Sequence, residues 1–250
     1  MKCVLTGSWI AGGILMLASS LAPACAGAPV RAPGSSALLT NGLPDPESHG
    51  ARDTYPDFAT LAATESLGVD YSLTVVDRRS SITVMAIHGG KIEKGTSELA
   101  REVAQADCNL YLFEGIKPDH NFSLHITSRR FDEPQALGLM ARSDYGISMH
   151  GFTEVDRPDA WIIRVGGDSQ AFRSAFIDAA SRAQLGVEIP AIEDRFPAPE
   201  PDNIVNRTMK AGLQLEMSVP LRKKILEDSG FRSRLALAVR AALTQVTQAP

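Results

Sequence analysis

The strongest constraint on this chain is an alternation. From about Tyr71 onward, short β-rich runs recur between stretches with helical apolar spacing. YSLTVV (71–76) and ITVMAI (82–87) read as strands, split by the polar turn Asp77-Arg78-Arg79-Ser80-Ser81. Phe58, Leu61, Ala62 and Leu67 suggest a short amphipathic helix before them. Thr96 is placed to cap a helix to about Ala106, with Glu98 and Glu102 in its early turns. Leu110–Phe113 and Ser123–Ile126 read as strands and Gln135–Arg142 as a helix. Gly146–Met149 is a strand ending in His150, Trp161–Val165 another, and Ala171–Leu185 a helix. Leu213–Leu215 is a strand with Glu216 at its end, followed by helices over about 220–228 and 231–246. Such alternation predicts an α/β fold, a mixed or parallel sheet between layers of helices. In such sheets ligands bind beyond the carboxyl ends of the strands. His88, His150 and Glu216 all fall there.

Composition narrows the class. Of 250 residues, 44% are hydrophobic and 22% charged, which is ordinary globular material. The net charge of −4 argues against nucleic-acid binding through bulk positive charge. The cysteines, at 3, 25 and 108, form neither a disulfide framework nor a zinc ribbon, and Cys108 reads as a small buried hydrophobe. No dinucleotide fingerprint and no GxSxG nucleophile elbow is present.

The N-terminus reads as an address. A basic start, the apolar stretch from Trp9 to Ala18 and the small residues Ala22 to Ala28 are the parts of a secretory signal peptide, taken as residues 1–26. The apolar stretch is too short and too rich in small residues for a good membrane span. The expected location is therefore secreted or periplasmic. Lipid anchoring at Cys25 is the weaker alternative, because Leu21 lies one residue too early for a lipobox. Residues 27–54, dense in Gly and Pro, read as a flexible linker, and 55–250 as one folded domain.

Catalytic zinc needs about three protein ligands and one open position. His88 is followed by Gly89, Gly90 and, five positions on, Glu93. Glycines tolerate positive φ, so the chain can turn sharply and return Glu93 to the His88 ring. His150 could supply a third ligand from a neighbouring strand. Taken singly, each also reads as ordinary structure: His88 bonded in a turn, Glu93 a solvated carboxylate between Lys91 and Lys94, His150 a strand-end histidine.

Six separated blocks then carry a resemblance: AIHGGKIEKGTSELA (86–100), YLFEGIK (111–117), LHITSRRFDEP (124–134), ISMHG (147–151), NIVNR (203–207) and LQLEMS (213–218). In this order they resemble the poly-γ-glutamate hydrolase family of phages and bacteria, from about Asp70 to Arg222. The resemblance implies a zinc hydrolase with a three-layer α/β/α core and a mixed central sheet, like the zinc carboxypeptidases. It implies one Zn2+ per chain held by His88, Glu93 and His150, with Glu216 as general base. It also implies an anionic γ-glutamyl polymer or peptide as substrate.

A polymer with a free α-carboxylate on every unit calls for arginine. Arg129 and Arg130 lie between the second and third expected ligands, and Arg207 in NIVNR is another candidate. Of these, Arg130 and Arg207, with His125, are the expected substrate-binding residues. Asp132 and Glu133 are near enough in sequence to pair with Arg129 or Arg130, and the Arg222-Lys223-Lys224 run reads as helix surface. Two alternatives stand beside the main expectation. The same zinc chemistry would serve on cell-wall peptides or N-acyl amino acids, and a non-catalytic envelope binding protein would need no Glu216.

Overall fold

The computed structural model describes residues 53–190, 196 and 198–248. The expected signal segment and nearly all of the expected linker lie outside them. Six strands form one sheet: β1 (Tyr71–Val76), β2 (Ile82–Gly90), β3 (Asn109–Gly115), β4 (Tyr145–Phe152), β5 (Ile163–Gly166) and β6 (Ala211–Ser218). Their spatial order is β1-β3-β2-β4-β6-β5. The inner strands β3, β2, β4 and β6 run parallel, and the edge strands β1 and β5 are antiparallel to their neighbours. The sheet is therefore mixed, and the architecture is the expected three-layer α/β/α.

The two faces of the sheet differ. On one face, alternate strand residues (Val84, Leu112, Ile147, Met149, Val165, Leu213, Leu215) meet the helices α2 (Thr96–Ala104), α4 (Gln170–Arg182), α5 (Val219–Glu227) and α6 (Ser229–Thr247). Phe172, Phe176, Phe231 and Leu235 fill the interface, each contributing about 1.5–3 kcal/mol by burial. Cys108 is free and buried in this core. On the other face, Tyr71, Met85, Ile87, Tyr111 and Phe113 meet α1 (Phe58–Thr64) and α3 (Pro134–Ala141). This second core contains no residue of β4, β5 or β6. Where it ends, the same face carries Ser148, His150, Gln214, Glu216 and Arg164, all buried. Among the described residues no helix is long and apolar enough to cross a membrane.

Several sequence expectations shift. Strands β2, β4 and β6 run past His88, His150 and Glu216, so these residues lie within strands rather than at their ends. Ser123–Ile126 is no strand: a 3-10 turn over Asn121–Leu124 precedes an extended stretch. Both sides of the neighbouring strand β3 are already paired, to β1 and β2, so Leu124 and Ile126 pack onto the sheet instead. Gly95 (φ +98°), not Thr96, caps α2, and the Thr96 hydroxyl turns back to the Glu93 carbonyl at 2.8 Å. Arg222 is buried rather than on a helix surface, donating to the carbonyls of Met217 (3.2 Å) and Lys94 (3.1 Å).

The end of β2 is built to turn. Pairing with β3 slips between Ala86 and Gly89, three steps on β2 against two on β3. Regular alternation would send His88 to the face of Val84 and Ala86, and the bulge re-aims it. Gly90 has φ +63°, and a Cβ there would lie 2.6 Å from the Gly115 carbonyl oxygen. Glu93 N–H then closes back on the His88 carbonyl at 2.9 Å. Gly90→Ala is expected to cost about 1–3 kcal/mol, seen as a lower urea midpoint, because the turn that returns Glu93 to His88 is strained.

Candidate metal centre and active site

Four side chains converge on the face where the second core ends. His88 Nδ1 lies 3.1 Å from Glu93 Oε1 and 3.1 Å from His150 Nδ1. His150 Nδ1 is 3.9 Å from Glu93 Oε2, and His125 Nε2 is 3.9 Å from Glu93 Oε1. The His125 ring lies against His88, with centroids 3.9 Å apart. Ligand atoms of His88, Glu93 and His125 all fall within 4.8 Å of one another, so His125 stands beside His150 as a group in reach of a shared ion.

The outer nitrogens are occupied. His88 Nε2 donates to the Ile126 carbonyl at 2.9 Å, which leaves Nδ1 to face the cluster. His150 Nε2 is 2.7 Å from Ser148 Oγ and 3.4 Å from Ser128 Oγ. His125 Nδ1 is 2.7 Å from Asp53 Oδ1, which leaves Nε2 facing inward. Glu93 Oε2 accepts the Gly151 N–H at 2.8 Å, tying the β2 loop to β4. Metal-binding histidines are commonly held this way by a partner on the second nitrogen. Nitrogen and carboxylate donors in this number suit zinc.

The electrostatics of the cluster are set by burial and by the Glu93–His88 pair. Burial opposes charge on His88, but the Glu93 carboxylate overrides it and raises the His88 pKa. Burial alone would raise the Glu93 pKa, yet His88 leads the groups that bring it down to about 2. Burial, and then the His88 charge, lower His150 to about 3. The same two causes lower His125 despite Asp53. Glu93 and His88 thus favour their charged forms, and His150 and His125 their neutral ones.

Glu216 stands next to this cluster. In the parallel pairing of β4 with β6, His150 and Glu216 are direct partners. Gln214 Nε2 donates to Glu216 Oε1 at 2.8 Å, and Asn203 Nδ2 donates to Gln214 Oε1 at 2.9 Å. Gly146 and Gly212 let the 3-10 turn Ile204–Asn206 approach this face, since a Cβ on either would lie within 3 Å of the Val205 carbonyl oxygen.

The structure therefore brings His88, Glu93, His150, Glu216 and His125 together. The exposed arginines each have a partner, and the partner of Arg130 is the Asp53 that also holds His125. Arg129 makes a forked ion pair with Asp202 at 3.0 Å, and Arg207 donates to the Asp202 carbonyl at 3.1 Å. Arg130 pairs with Asp53. Neither acid near the arginines in sequence takes these roles: Asp132 accepts the Phe58 N–H (2.7 Å) and Glu133 caps α3 through Ala136 N–H (2.8 Å). His120 is exposed.

Sequence reasoning missed Ser148, Gln214, Asn203, Arg164 and Asp53. A signal for two of them was present: Ser148-x-His150 and Gln214-x-Glu216 put polar residues at alternate positions of otherwise apolar strands. Asp53 carried none. It lies in the stretch read as linker, yet it accepts from His125, from Thr127 N–H at 2.8 Å and from Arg130. Burial opposes its charge, but these bonds, led by His125, hold its pKa below the ordinary 3.8. A depressed carboxyl stabilises the fold above its ordinary pKa, and that contribution fades as pH falls through the folded value.

Comparison with known proteins gives the family. The family model for poly-gamma-glutamate hydrolase matches residues 55–249. The UPF0714 protein YndL of Bacillus subtilis (strain 168) is 37% identical over 186 residues, 74% of this chain and 71% of that protein. The SPbeta prophage-derived UPF0714 protein YoqZ of the same strain is 36% identical over 192 residues, 76% of this chain and 68% of that protein. A bacteriophage poly-gamma-glutamate hydrolase structure superposes with a TM-score of 0.73 at 31% identity, covering 78% of this chain and 99% of that one. The zinc-free apo form of YndL gives 0.71 at 30%, with the same coverage. The family match begins two residues after Asp53. A chain trimmed to start at Tyr55, and the full chain with Asp53→Asn, should each have a lower urea midpoint than wild type at neutral pH. The wild-type advantage over Asp53→Asn should close as pH falls below 3.8. From residue 55 onward, matched sequence and superposed fold place this chain in the poly-γ-glutamate hydrolase family.

Proposed function

We propose that this chain is an exported zinc enzyme that cleaves the γ-glutamyl amide bonds of poly-γ-glutamate, with Glu216 as general base. Family membership makes it a hydrolase of γ-glutamyl amides. The observation that carries the mechanism is the register of β4 against β6, which puts Glu216 beside His150 at the edge of the histidine cluster. His88, Glu93 and His150 would hold the metal, because their facing atoms lie 3.1–3.9 Å apart and their outer atoms are engaged. When bound, zinc supplies a polarised carbonyl and a water of lowered pKa.

The chain's own residues do the rest. Glu216 takes a proton from the attacking water and returns it to the leaving nitrogen. Gln214 holds one Glu216 oxygen, so the carboxylate keeps a single orientation through both transfers. His125, fixed by Asp53 through Nδ1, presents Nε2 to the same space, where it can accept a hydrogen bond from substrate. Export is supported by the N-terminal pattern of basic start, apolar stretch and small residues.

The test is zinc content paired with polymer cleavage. About one zinc per chain is expected, with hydrolysis of poly-γ-glutamate lost on chelation and restored by zinc. Glu216→Gln should keep the zinc and lose about 10²–10⁴-fold in kcat; undiminished turnover would remove Glu216 as base. Gln214→Leu should lower kcat about tenfold with KM and zinc held. Zinc without polymer cleavage would move the substrate to wall peptides or acyl amino acids. Failure to take up zinc would sink the ligand assignment.

A further inference from the structure

A buried cation beside the site has no role in the mechanism above. Arg164 lies on β5, the direct partner of Glu216 on β6. Its neighbours Ile163 and Val165 enter the helix-covered core, so Arg164 faces the same side as His150 and Glu216. It is 9% exposed. Nη2 donates to Glu154 Oε2 at 2.9 Å, and Cζ sits 5.4 Å from the centroid of the Phe152 ring. Nε is buried without a hydrogen-bond partner. Burying a guanidinium is costly, and Glu154 offsets its charge while leaving donors of the fork unused.

Substrate chemistry supplies an acceptor for such a fork. In a γ-glutamyl chain the scissile nitrogen is bonded to the Cα that carries a free α-carboxylate. The carboxylate carbon is then about 2.5 Å from that nitrogen. Glu216 must reach the same nitrogen to deliver its proton. Neighbouring strands are about 4.8 Å apart. A cation one strand beyond Glu216, on the side away from His150, therefore lies where this carboxylate falls. An internal α-peptide bond offers a neutral amide at that place instead.

We propose that Arg164 is a specificity-determining residue that binds the α-carboxylate on the amine side of the scissile γ-amide, with Glu154 as its positioning partner. This rests on the function proposed above. The other candidate arginines are not on the β4-β6-β5 row: Arg129 pairs with Asp202, Arg130 with Asp53, and Arg207 with a carbonyl.

The experiment compares a γ-linked glutamate oligomer with the same oligomer carrying α-carboxamides. Wild type should prefer the carboxylate form. Arg164→Gln should lower kcat/KM on it about 10–100-fold, mainly through KM. On the carboxamide form the change should stay within about threefold, and zinc content should be unchanged. Arg164→Lys should recover part of the preference, because it restores charge without the fork. If Arg164→Gln folds poorly beside an unpaired Glu154, the neutral pair Arg164→Gln with Glu154→Gln is read in its place. Equal loss on both oligomers, or preference retained without the arginine, overturns the proposal. Wild-type enzyme that cleaves neither oligomer would instead fail the underlying function and take this proposal with it.

Discussion

The active face depends on the parallel register between β4 and β6. It sets His150 beside Glu216 and, through β5, Arg164 beyond them. Side chains alternate along a strand, so a slip of one residue would turn Glu216 into the helix-covered core and bring Leu215 or Met217 out. The apolar residues Leu213, Leu215 and Met217 prevent that slip, because each would lose its burial against the helices. The hydrophobic face thus fixes the position of the polar one. The second core stops at β2, and beyond it the same face carries buried polar and ionisable groups.

Most polar groups at this depth are tolerated because they have a defined partner, Arg164 Nε being an exception. Gln214 holds Glu216, the Gly151 N–H holds Glu93, and the Ile126 carbonyl holds His88. Asp53 anchors the loop from His125 to Arg130, and Arg222 bridges the Lys94 carbonyl to the end of β6. Removing such a partner would leave a buried group unsatisfied, which costs more than the bond itself contributes. These contacts join segments far apart in the chain, and they convert a sheet edge into a rigid constellation.

Much of this was legible in the residues. All six strands of the sheet coincide with β-rich runs, and the long helices follow their apolar spacing closely. The return of Glu93 to His88 was foreshadowed by Gly89 and Gly90, and the left-handed turn falls at Gly90. The extended run Ser123–Ile126 misled, because alternation of Leu124 and Ile126 is the same whether a segment pairs within a sheet or packs upon it. Arg222 misled for a related reason: a basic run on a helix says nothing about which member faces inward.

The sequence by itself determined the α/β class, the order of elements and the residue types able to hold zinc, since these follow from local periodicity and side-chain chemistry, while the role expected of Glu216 came from the family resemblance. Only the tertiary structure decided that Asp53 reaches His125, that Gln214 orients Glu216, and that Arg164 lies beside Glu216 while Arg129 pairs with Asp202 and Arg130 with Asp53. Those choices are set by which strands become neighbours and in what register. Contact across tens of residues is won by packing of the whole core, and no local pattern encodes it.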